Sequence, residues 1–137
     1  FWVDPDAADV VLNSNIEIKM IAWDTTQIYG YLDKNNFEDL EKIGTSLSRF
    51  AIDIQRRGLE YYKIKYNKHK IDLADPLAMA VMIDESGTKY KKCNIQIILD
   101  GNERGRDIIN FNNKGNINLA TKISRTNFLN NLKKSLV

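Results

Sequence analysis

With one cysteine, one histidine and two prolines among 137 residues, the chain leaves several classes of protein without support. A lone Cys93 cannot close an internal disulfide, which fits a reducing compartment. No apolar run approaches the length of a bilayer span, and no positively charged leader precedes a short hydrophobic segment. The expectation is a protein with neither membrane span nor signal peptide, located in the cytoplasm. Internal repeats and low-complexity tracts are absent as well. A hydrophobic content of 43% over 137 residues is enough for one domain with a real core, so a single domain spanning 1–137 is expected.

A strong charge of one sign is also lacking, since the net charge is +2. That balance hides an asymmetry. Residues 1–60 carry 11 acidic and 6 basic side chains, whereas residues 61–137 carry 7 acidic and 14 basic. Lys63, Lys65, Lys68 and Lys70 are interleaved with Tyr61, Tyr62 and Tyr66, a mixture able to contact phosphates and stack on bases. The modest overall charge argues instead for a solvated loop and against a nucleic-acid binder. The chain opens on Phe1-Trp2-Val3 rather than Met, which leads us to expect a cut chain with a segment preceding it.

Both prolines follow aspartates. Asp4-Pro5 predicts the start of a short amphipathic helix ending at Ser14-Asn15, and Asp75-Pro76 predicts a second start, with Asp75 as the cap. The helix from Pro76 to Ile83 is apolar all round, so burial of the whole element is expected. Ile16 to Trp23 alternates and then turns fully apolar, as in a strand entering a covered sheet, which would put Asp24-Thr25-Thr26 at its carboxyl end. Leu40, Ile43, Leu47, Phe50, Ala51 and Ile54 predict one long helix from Asn35 or Asn36 to Arg57, closed by Gly58. Residues 59–74 read as a connection. Cys93 to Leu99, Arg106 to Phe111 and Asn116 to Lys122 read as strands, separated by Asp100-Gly101 and by Asn113-Lys114-Gly115. Ser124 or Thr126 could cap a final helix whose inner face holds Phe128, Leu129, Leu132 and Leu136.

Three segments in this order resemble the inosine-uridine preferring nucleoside hydrolases. Phe1-Trp-Val-Asp-Pro-Asp-Ala-Ala8 is similar to the segment following that family's Glu-Phe-Asn or Glu-Tyr-Asn motif. Met20-Ile-Ala-Trp-Asp-Thr-Thr26 resembles its Gly-Leu-Asp-Val-Thr, and Leu73-Ala-Asp-Pro-Leu-Ala-Met-Ala80 its Asp-Pro-Leu-Ala. Glu103-Arg-Gly105 is close to a later Thr-Arg-Gly.

The resemblance implies an α/β fold: the C-terminal part of an open, mostly parallel sheet with flanking helices and a small strand cluster at 93–122. It implies a parent enzyme, a hydrolase acting on N-glycosyl bonds, that cuts a ribonucleoside into ribose and base with water, serves purine and pyrimidine salvage, and is assisted by Ca²⁺. By the same resemblance Asp75 is a metal ligand, and Tyr61 and Tyr62, near the family's active-site aromatics, are substrate contacts; His69, in the Lys/Tyr loop five residues before Ala74, is a further candidate substrate contact, with an exposed loop histidine as the alternative. The presumed catalytic base would lie upstream of Phe1. Where many members place a leaving-group His, or some a stacking Trp, this chain has Ala74. One carboxylate cannot supply the roughly six to eight oxygens that calcium takes, so the chain alone is expected to be inactive. The alternative is a non-catalytic remnant of the family that binds a ribose-containing ligand or a protein.

Phe1, Trp2, the strand at 16–23 and the apolar helix after Pro76 would then expose apolar surface, so self-association or assembly with the missing segment is expected. A well-folded monomer in sedimentation would overturn that expectation.

Overall fold

The computed structural model describes every residue except Asn113, which was expected to lie in a turn and falls outside the described residues. In chain order the elements are α1 (Pro5–Leu12), β1 (Ile18–Met20), α2 (Trp23–Tyr29), β2 (Tyr31–Asp33), α3 (Lys34–Glu41) and α4 (Ser46–Tyr66). There follow β3 (Lys70–Asp72), α5 (Ala74–Ile83), β4 (Lys89–Ile97), β5 (Asp107–Phe111), β6 (Ile117–Lys122) and α6 (Arg125–Ser135). The chain divides into two compact units.

The first unit comprises Phe1–Ala22 and Lys89–Thr121. Its sheet has the order β1-β6-β4-β5, with β1 parallel to β6 and β4 antiparallel to β5. The α/β class holds, and the described pairings are mixed. Leu12 of α1 packs with Cys93, Ile95, Ile97, Ile117 and Leu119, the inward positions of β4 and β6 at period two. Burial also pushes the Cys93 thiol above its ordinary range, because the thiolate would lose its hydration. Asp4 caps α1 as expected, its Oδ1 accepting from the Ala7 N–H at 2.9 Å, with Pro5 at the start where no N–H is needed. The strand expected at 16–23 is shorter. It occupies Ile18–Met20, and Trp23 already begins α2.

The second unit comprises Trp23–Thr88 and Lys122–Val137. Here the long helix expected from 35 to 57 is two helices. Gly44 adopts φ +73°, a conformation costly for a residue with a Cβ, and Thr45 then caps α4 by accepting from the Ser48 N–H at 3.0 Å. Periodicity does not register such a break, because the apolar spacing continues across it. Its apolar stripe also points the other way. Leu47, Phe50 and Ile54 are exposed, while Ser48 and Ile52 are buried. Gly58 does not close the helix, which continues to Tyr66 and ends at Asn67 in the left-handed region. A Cβ on Gly58 would come within 2.6 Å of Ile71 Cδ1, so the glycine lets β3 lie close against mid-helix.

The connection expected at 59–74 therefore contains the end of α4 and strand β3, which pairs antiparallel with β2 in the register Leu32↔Ile71. Ser124 caps α6, accepting from the Asn127 N–H at 3.2 Å, and Phe128 is buried on its inner face.

One side chain ties this unit together. Arg125 donates to the carbonyls of Tyr29 at 3.2 Å and Tyr31 at 2.5 Å, and to Asn36 Oδ1 at 2.7 Å. Its guanidinium lies 3.6 Å from the centroid of the Tyr31 ring. Asn36 in turn completes a reciprocal cap with Asp33 at the start of α3. Replacing Arg125 by Ala leaves two carbonyls and the Asn36 oxygen short of a charged donor. Unfolding in urea should then show a stability loss of roughly 1.5–3 kcal/mol, and Arg125→Lys should recover only part of it because the planar fork is gone. An unchanged midpoint in Arg125→Ala would show that the fork carries no load.

Candidate functional site

Asp75 sits in the first turn of α5, two positions past the cap site expected for it. The helix begins at Ala74, its cap position is Leu73, and no side chain caps it. Asp75 is thus not the cap. Pro76 is tolerated two residues inside the helix because the first-turn N–H groups have no intrahelical acceptor to lose. The reason for the early start lies in the strand pairing. The Leu73 N–H donates to Gly30 O at 2.7 Å, which extends the β2–β3 contact and delivers the chain directly into the helix. An exposed Asp75 carboxylate at the amino end of α5 is stabilised by the helix dipole by roughly 0.3–1 kcal/mol. Not being bound up in a cap bond, its two oxygens remain open to an incoming group.

The helix behind it is less covered than its composition suggests. Leu77, Ala80 and Val81 are buried, whereas Met79, Met82 and Ile83 are exposed. The apolar residues all round α5 therefore make one inward and one outward face. Phe1, Trp2 and Trp23 are exposed too.

The three tyrosines at the end of α4 form a cluster, with ring centroids 6.2 Å apart for Tyr61 and Tyr62, 6.1 Å for Tyr61 and Tyr66, and 5.7 Å for Tyr62 and Tyr66. Positions 62 and 66 meet because residues four apart share a helix face. Lys65 Nζ donates to the Tyr61 hydroxyl at 2.6 Å. That bond holds the Tyr61 phenol below its usual range and raises the Lys65 ammonium. Tyr62 moves the other way: burial, then the charge of Asp72, push its phenol up. Both carboxylate oxygens of Asp72 are buried and accept no hydrogen bond. The sequence reading passed over Asp72. Its signal is the alternation Ile71-Asp72-Leu73, in which two buried apolar residues flank a carboxylate on the opposite face of the strand.

His69 and Asp75 lie beyond opposite ends of β3. His69 lines a cavity with residues of α3 and α4, while Asp72 and Tyr62 belong with the end of the strand that leads to Asp75. The fold thus associates the tyrosines with Asp72 and does not bring His69 to Asp75. Among the described residues, no group of three or more His, Cys, Asp or Glu side chains is placed to hold a metal ion. Asp24 lies in the first turn of α2, where its Oδ1 accepts from the Thr25 N–H at 2.8 Å, and Thr25 and Thr26 are buried behind it.

In a titration followed by phenol absorbance and ring NMR shifts, Tyr61 should ionise before Tyr62. Lys65→Met should raise Tyr61 and leave Tyr62 late, whereas Asp72→Asn should lower Tyr62 only part of the way, since burial remains. Coincident titration of the two rings would contradict this arrangement.

A family model described as inosine-uridine preferring nucleoside hydrolase matches residues 1–130. The fold is similar to that of a plant nucleoside hydrolase, with a TM-score of 0.86 and 22% identity, covering 96% of this chain and 45% of that one. It is also similar to a purine-preferring ribonucleoside hydrolase from Gardnerella vaginalis, with a TM-score of 0.82, 26% identity and coverage of 96% and 43%. An inosine-guanosine nucleoside hydrolase gives a TM-score of 0.80, 20% identity and the same coverage of 96% and 43%. No curated protein matches the sequence. The chain spans less than half the length of these solved structures.

Proposed function

The chain belongs to the inosine-uridine preferring nucleoside hydrolase family, and from that premise we propose that the whole protein hydrolyses the N-glycosidic bond of ribonucleosides. Water adds to the sugar carbon, the bond from that carbon to the base nitrogen breaks, and ribose and free base are released. The observation that carries this reading is the family match over residues 1–130, with the Asp75 carboxylate free of any cap bond at the start of a helix fixed to a strand.

Asp75 is proposed as one oxygen ligand of the Ca²⁺ that the family resemblance implies. The residues of this chain do not by themselves fit such a site, because calcium takes roughly six to eight oxygens and the described residues gather no group of three or more His, Cys, Asp or Glu donors. No step of the reaction is therefore derived through the ion. The remaining ligands and the base that activates water are sought in the part of the whole protein that this chain does not span, and this chain alone is proposed to be inactive.

What its own residues contribute is placement of the leaving base. Tyr61 and Tyr62 offer aromatic faces for stacking. Tyr62, kept protonated by burial and by Asp72, can donate its hydroxyl hydrogen to a base nitrogen. This assigns to a tyrosine the help that Ala74 cannot give. His69, beyond the other end of β3, is left out of that role. The reading includes base salvage in the cytoplasm. It also includes assembly through the exposed apolar residues, either with the rest of the whole protein or with a second copy. None of the described helices is long and apolar enough to cross a membrane.

Ala74 and the single carboxylate also favour a second reading, in which the protein binds a ribose-containing ligand without cutting it. One experiment separates the two. In the full-length protein, release of base from inosine and uridine should depend on added Ca²⁺. Asp75→Ala should lower that rate by roughly two orders of magnitude, the scale on which loss of a positioning contact acts. Binding of inosine without any base release would favour the second reading. Full activity in Asp75→Ala, with unchanged response to calcium, would remove Asp75 from the site.

A further inference from the structure

Away from Asp75, a cavity of about 260 Å³ lies between α3, α4 and the turn before β3. Its base is apolar: Phe37 and Ile52 are buried, and Leu59 is half-buried. Its rim carries the cations Lys34, Arg56 and Lys63 together with the imidazole of His69. The one carboxylate in the lining is already engaged. Glu41 Oε1 accepts from Arg56 Nη2 at 3.0 Å, and Arg56 Nε donates to Asp53 at 3.0 Å, so Arg56 and Glu41 neutralise each other within the wall. Lys34 reaches Glu38 only at 3.6 Å, with both side chains largely exposed, a pairing worth little in water and free to turn. Lys63 and His69 form no ion pair among the described residues.

An apolar floor beneath a free ammonium and an imidazole N–H is the arrangement that selects a ligand having both an apolar body and a negative charge. The volume lies just below the usual range for small-molecule sites, roughly 300–1,000 Å³, which limits the body to about one ring. We propose that this cavity binds a small organic anion, a single apolar ring bearing a carboxylate or phosphate, with the ring on Phe37, Ile52 and Leu59 and the anion held by Lys63 and His69. The site is separate from the one proposed for nucleosides, since His69 and Asp75 lie beyond opposite ends of β3.

The full-length protein titrated with phenyl phosphate and, separately, with benzoate tests this by NMR. Saturable shifts at His69, Lys63 and Leu59 are expected with at least one of the two, and the stronger of them identifies the preferred anion. Lys63→Glu, a change at an exposed position, should weaken binding by roughly tenfold. Neutral benzyl alcohol and inorganic phosphate should each bind more weakly than the better organic anion. Absence of saturable shifts with both probes, unchanged affinity in Lys63→Glu, equal binding of inorganic phosphate, or competitive displacement by inosine would each overturn the proposal.

Discussion

Arg125 is the constraint on which the second unit depends. A guanidinium offers five donors in a fixed plane, and here that plane serves Tyr29 O, Tyr31 O and Asn36 Oδ1 while lying over the ring of Tyr31. Lys70 Nζ approaches the same ring at 4.3 Å and donates to Gln27 O at 3.0 Å, so two cations fix one tyrosine. The consequences run outward along the chain. Tyr31 is in β2, β2 sets the register of β3, and Leu73, just past β3, bonds to Gly30 before α5 begins. Asp75 therefore takes its position from a contact made by the first residue of the last helix. A carboxylate that must meet a ligand in one direction needs such backing more than it needs a strong local helix signal.

Much of the framework could be read from residues alone, and the reasons are local. Asp4-Pro5 and Ser124 start helices by satisfying free N–H groups within a few residues, so neighbours in sequence suffice to reveal them. The strands at 93–122 announce themselves by alternation and by glycine-bearing turns. Features set by distant partners stayed hidden. Gly58 looks like a helix end, yet it serves the approach of Ile71. Asp75-Pro76 looks like a cap and first turn, yet the helix starts earlier because Leu73 is held by Gly30. The exposed stripe of Leu47, Phe50 and Ile54 has the spacing of a core-facing surface, and only the position of β3 shows that α4 faces the other way.

The candidate site shows the same division. Asp75 stands out in the sequence because the resemblance runs through Leu73 to Ala80, while Asp72 does not, since a carboxylate in a three-residue strand carries no pattern of its own. Its environment gives it meaning. A buried carboxylate beside a partly buried phenol makes the loss of that phenol's proton unfavourable, so Tyr62 stays a hydrogen-bond donor when its neighbour Tyr61, tied to an ammonium, is the easier to ionise. Two adjacent residues of one type are thus shifted in opposite directions by their different surroundings.

The buried thiol of Cys93 has a practical corollary. Thiol reagents attack the thiolate and need access to it, and Cys93 offers neither, being fully enclosed in its core with its ionisation pushed up. A cysteine introduced at an exposed position, such as Met82 on the outward face of α5, would then take up a fluorophore or spin label alone. The sequence thus carries its own blank background for distance measurements across any assembly it enters.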